Sequence, residues 1–146
     1  MTAVEILIDL IKRSEGCKLK AYKCPAGVCT IGYGITGPDI IEGLTWTQEQ
    51  ADQALTDAAY HVLDEALYQS KNLRSATEGQ KAAIADFVYN LGVGAYRASS
   101  VKRCIDASDF QEAKHVIMKW NKARINGKLT ELPGLTKRRQ AESDLL

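Results

Sequence analysis

Between residues 2 and 14 the apolar side chains of Val4, Ile8 and Ile11 recur every three or four positions. That period predicts an amphipathic helix with these residues on its buried stripe, and Glu15 falls one step further along it. Gly16 predicts the helix end. From residue 17 to about 46 the period changes. "LKAYK" and "CTIGYGI" alternate and glycine is frequent, which predicts strands. "PAG" supplies a turn between them, so this region reads as a hairpin or a three-stranded sheet, followed by a loop containing "TGPD". Beyond it the chain reads as helical. Thr47 with Gln50, Thr77 with Gln80 and Ser108 with Gln111 each open an apolar-periodic run with a capping-box pattern. Gly92 and Gly94 end a central helix. "NGK" at 126–128 predicts the turn of a short hairpin, and Thr136 the cap of a last helix toward Leu146. The result is one α+β domain over 1–146. A small β lobe spans about 17–46, and a helical lobe spans about 47–146 with the helix 2–14 packed on it. A cleft where the lobes meet is the natural site.

Composition narrows the function without choosing it. The chain has 146 residues, 45% of them hydrophobic and 25% charged, which suits a soluble globular domain with a real core. A formal net charge of +1 leaves no general field for nucleic acid, and Lys137-Arg138-Arg139 is too short a cluster to supply one. No apolar run is long enough to cross a bilayer, and the start "MTAVEILIDLIKRSEG" lacks the pattern of a secretory signal. The expectation is synthesis in a cytoplasm, where Cys17, Cys24, Cys29 and Cys104 are reduced. Their spacing matches no common zinc site, and His61 and His115 stand apart from them, so no metal site is expected.

The candidate chemistry lies in "SEGCKLKAYKCPAGVCTIGYG", residues 14–34. A glutamate that continues a buried stripe is desolvated and suited to general-acid work. On position alone, a helix-end carboxylate bonded to a surface lysine or arginine fits it better. Cys24 lies at the hairpin turn and Thr30 on the returning strand. If the strands face the helix end, Glu15, Cys24 and Thr30 line one crevice, with Gly32 and Gly34 opening its floor. Cys24 itself has three readings: a packed thiol, a cross-hairpin disulfide with Cys29, or a reactive thiol that Lys20 and Lys23 help to ionise.

Glu15, eight residues, Cys24, five residues, Thr30 and then "IGYG" resembles the catalytic signature of the phage-type lysozymes, glycoside hydrolase family 24. Their usual triad is Glu, Asp (Cys in some members) and Thr at this spacing. "GLTWTQEQADQAL", "QKAAIADFVYNLGVGAYRASS" and "MKWNKARINGKLTELPGLTKRRQAE" are similar to further family segments in the family's order, so the resemblance covers nearly the whole chain.

The resemblance implies a lysozyme-like fold and hydrolysis of the β-1,4 bond between N-acetylmuramic acid and N-acetylglucosamine in peptidoglycan. Glu15 would be the general acid. Cys24 would stand where the second carboxylate commonly stands, and Thr30 would hold water or sugar on that side. Tyr33, Gly34, Phe87 and Asn90 match family positions assigned to substrate binding; core packing and a helix-end cap explain Phe87 and Asn90 equally well. A C-terminal arginine, Arg138 or Arg139, would pair with Glu15, and Trp120 would anchor the core. Ile35 replaces a family histidine that ties the lobes together. No metal or organic cofactor is implied. The partners implied are glycan strands and, for access to the wall, a holin; no membrane insertion is implied, and the enzyme would act as a monomer from the host cytoplasm. Two rivals remain at this level: a non-catalytic wall binder on the same scaffold, and a thiol redox protein using Cys24 and Cys29.

Overall fold

The computed structural model describes all 146 residues. The first helix, α1 (Ala3–Glu15), begins at Thr2, whose hydroxyl accepts from the Glu5 amide while the Glu5 carboxylate accepts from the Thr2 amide. It ends at Gly16. Its fully buried residues are Ala3, Leu7, Leu10 and Ile11, so the stripe lies one position away from the one expected. Val4 and Ile8 are half-buried flanks, and Glu15 lies beside this stripe rather than on it.

A two-stranded antiparallel hairpin follows, β1 (Lys18–Lys23) and β2 (Cys29–Gly32). Lys20 bridges to Thr45, and Ile31 and Ile35 exchange backbone hydrogen bonds of 2.9 and 2.8 Å that close a tight turn after β2. The long helix α2 (Gln48–Gln69) and the central helix α3 (Glu78–Leu91) start at the expected capping boxes of Thr47 and Thr77. A 3-10 turn over Lys71–Ser75 joins them. Then come α4 (Val93–Arg97), α5 (Ser100–Asp106) and α6 (Phe110–Ile117). Gly92 caps α3, while Gly94 lies inside α4. Asp109 caps α6, not Ser108, which adopts φ +56° and cannot hold the extended conformation of a cap. Asn126 and Gly127 turn the second hairpin, β3 (Lys122–Ile125) and β4 (Lys128–Glu131), in regular register. The last helix, α7 (Pro133–Ser143), starts earlier than Thr136 would place it, because Pro133 occupies its first turn.

Helix α3 runs through the core. Seven consecutive residues, Ala82 to Val88, are buried, as expected of a helix enclosed on all sides. It packs against α1, α2, α4 and α7. Phe87 is fully buried, edge-on to Tyr96 and Trp120 with centroids 6.1 and 5.6 Å away, and the Arg139 guanidinium lies 5.1 Å over its ring. Phe87 is therefore a core residue and has no surface to offer a substrate. Phe87→Ala should cost about 3–5 kcal/mol in denaturant unfolding.

Candidate active site

Helix α7 is unusual in what it buries: Arg138, Arg139, Glu142 and Ser143. Burial of charge is tolerable only with partners. Arg138 has two. Its Nε and Nη2 donate to the two oxygens of Asp86 on α3, at 2.9 and 2.8 Å, and its Nη1 donates to Glu15 Oε2 at 2.7 Å. Arg139 points elsewhere. Its Nη2 donates to Asn90 Oδ1 and Glu142 Oε2, both at 2.9 Å, and its Nε stands 2.7 Å from Glu142 Oε1 without hydrogen-bond alignment. Of the two candidate arginines, only Arg138 reaches Glu15.

Glu15 is held from the other side by the absence of a side chain. A Cβ on Gly34 would lie 3.1 Å from Glu15 Oε1, and Gly34 has φ +84°. The carboxyl is thus seated over the turn that follows β2. The Glu15 side chain is 25% exposed, so the expected full desolvation is replaced by an ion pair at the edge of solvent. Gly34→Ala should cost about 1–2 kcal/mol from the left-handed backbone alone. It should also displace the carboxyl, and a displacement of about 1 Å costs on the order of a hundredfold in rate. Wall-lysis assays beside thermal melts separate the two effects. Gly32 serves a different purpose: a Cβ there would press on Trp46 at 3.0 Å, so it allows core contact and does not open the groove.

Two tyrosines fix this turn. The Tyr89 hydroxyl on α3 donates to the Tyr33 carbonyl at 2.6 Å. Burial, aided by the charge of Glu15, pushes the Tyr89 phenol far up, so it remains a donor. The Tyr33 hydroxyl donates to Asp52 at 3.1 Å and accepts from Gln48 at 3.1 Å, with Lys12 over its ring. Tyr33 is buried, and its polar atoms are occupied. It ties the β lobe to α2, where the family histidine was expected to act. Asn90 is half-buried and lines a cavity of about 470 Å³ with Glu15, Arg138 and the 132–135 segment at the start of α7.

At the other end of β2, Cys24 sits in the hairpin turn. Its amide donates to the Val28 carbonyl at 2.9 Å. The thiol pKa is held below its ordinary value by the backbone amide of Val28, then that of Ala26, and also by the Thr30 hydroxyl; slight desolvation opposes them. Backbone amides, not Lys20 or Lys23, favour the thiolate. Thr30 is 5% exposed, and its hydroxyl donates to the Val28 carbonyl at 3.0 Å. Cys29 opposes Lys23 across the hairpin, and all four cysteines are free, so no disulfide joins Cys24 to Cys29. Thr30 and Gly34 are four positions apart, at most about 13 Å in extended chain. The Ile31–Ile35 turn shortens that span.

Asp86 and the 132–135 segment were not singled out by sequence. The available signal was Asp86 itself, a lone acid in the apolar run "AAIADFVYN".

The chain matches the family model described as phage lysozyme over residues 12–142. It is 43% identical to an endolysin of Acyrthosiphon pisum secondary endosymbiont phage 1 over 136 residues, 93% of this chain and 91% of that one. It is 36% identical to an endolysin of Bacillus phage B103 over 94% of its own length, but spans only 51% of that longer protein. Among solved structures, an endolysin from Escherichia coli O157:H7 phage FAHEc1 is similar with a TM-score of 0.86 at 30% identity, covering 99% of this chain and 92% of that one. With the lysozyme-like α+β architecture and an extent of match that takes in α3, both hairpins and nearly all of α7, the chain belongs to the phage lysozyme family.

Proposed function

We propose that this lysozyme cuts the β-1,4 bond between N-acetylmuramic acid and N-acetylglucosamine with Glu15 as the acid and Cys24 as the base. The protein is a peptidoglycan-hydrolysing endolysin that serves host lysis. The Glu15 carboxyl, aimed by Arg138, gives its proton to the glycosidic oxygen as the bond breaks. The Cys24 thiolate takes a proton from a water on the opposite face of the sugar, and that water's oxygen bonds to the anomeric carbon. Attack opposite the leaving group inverts the configuration. Thr30 supports the thiolate and the water. Gly34 and Asn90 face the sugar, while Tyr33 and Phe87 brace them from behind.

One observation carries this reading. A carboxyl anchored by a buried arginine and a thiol seated on backbone amides lie at the two ends of one short strand. Their sequence spacing is the one phage-type lysozymes use for their acid and second catalytic group. No helix is long and apolar enough to cross a membrane. Access to the wall is through a holin lesion. The enzyme acts as a monomer on glycan strands.

Mass spectrometry of digested peptidoglycan tests the reaction. Reducing N-acetylmuramic ends are expected. Anhydro ends would identify a lytic transglycosylase instead, and undigested glycan would identify a wall binder.

A further inference from the structure

Asp86 is fully buried, yet it touches no substrate-facing surface. Its two oxygens take the Nε and Nη2 donors of Arg138, and that fork leaves Nη1 directed at Glu15. A guanidinium is planar and rigid, so fixing one edge fixes the other. We propose that Asp86 is a positioning residue for the catalytic carboxyl. It clamps Arg138 in the orientation that aims Glu15. The inference rests on the reading of Glu15 as the acid.

From α7 Asp86 faces Arg138, Arg139 and Glu142; from α1, through Arg138, it faces Glu15; on its own helix Tyr89 is near. Burial raises the Asp86 pKa, but hydrogen bonding and the two arginine charges outweigh it and hold the carboxyl below its ordinary value, so the fork with Arg138 is ionic. Glu142 is occupied by Arg139, which leaves Asp86 as the carboxylate that holds the far edge of the Arg138 guanidinium.

The test uses Asp86→Asn and Asp86→Glu, with kcat and KM for wall lysis and thermal melts alongside. In Asp86→Asn kcat should fall about tenfold or more with KM little changed, since orientation is lost and binding is not. Asp86→Glu keeps a carboxylate for the guanidinium fork, so its kcat should lie well above that of Asp86→Asn. A lower melting temperature with wild-type kcat in Asp86→Asn would make Asp86 a structural brace only and overturn the proposal. If Asp86→Asn does not fold, Asp86→Asn/Arg138→Gln exchanges the pair for two neutral amides. That protein should lose at least about tenfold in kcat; wild-type kcat would overturn the proposal. Loss of lysis in Glu15→Gln tests the underlying acid assignment separately.

Discussion

Glu15→Gln should reduce wall lysis by about 10²–10⁴-fold, the usual worth of a positioned general acid. The amide is nearly isosteric with the carboxyl, and its carbonyl can still accept from Arg138 Nη1. It carries no proton that can pass to a glycosidic oxygen. Stability should change little, because Arg138 keeps both hydrogen bonds to Asp86 when Glu15 is neutralised. The site is also partly open to solvent, with the Glu15 side chain 25% exposed, so the lost ion pair is screened. The expected combination is an intact melting transition with almost no release of reducing ends. A fall in melting temperature that matched the lost activity would instead place Glu15 in the scaffold.

Cys24→Ser should be nearly as damaging, while Cys24→Asp should keep much of the activity. The physical reason is the seat, not the sulfur. The backbone amides of Val28 and Ala26 favour the anionic form of the side chain at position 24. A carboxylate fits such a seat as well as a thiolate does. A serine hydroxyl ionises far above any working pH and brings no base, so a loss of about 10²–10⁴-fold is expected from it. Cys29→Ser is the control. Cys29 pairs in register with Lys23 and is bonded to no other cysteine, so its replacement should leave lysis near wild type.

Much of the scaffold was legible because it rests on local chemistry. The Thr47 and Thr77 caps are set within four residues, and both formed as read. So did the Asn126-Gly127 turn. Elsewhere two signals competed. Ser108 and Asp109 are both capping residues, and only backbone conformation decides between them. Thr136 was overruled by Pro133, whose fixed φ suits the first turn. In α1 the apolar residues surround more than half the helix, so a stripe through Val4, Ile8 and Ile11 looked as good as the real one through Ala3, Leu7, Leu10 and Ile11.

The site was legible only in part. Glu15, Cys24 and Thr30 are candidates because their spacing along one short segment resembles the family signature. The choice between Arg138 and Arg139 depends on helical phase, since adjacent residues point about 100° apart. That phase is invisible in α7, where hydropathy gives no stripe and the buried face is ionic. Asp86 was hidden for the same reason: its partner lies 52 residues away. Tyr33 and Phe87 lie beside the site in sequence pattern but turn inward in space, one to Asp52 and Gln48, the other to Tyr96 and Trp120.

The rate of reducing-end release against pH, compared between the wild type and Cys24→Asp, tests the division of labour between Glu15 and Cys24 most directly. Exchanging the thiol for a carboxyl lowers the ordinary ionisation of the group at position 24 by about four to five pH units, so the pH range in which the enzyme works should shift toward acid in Cys24→Asp. Superimposable profiles for the two proteins would contradict a base at position 24.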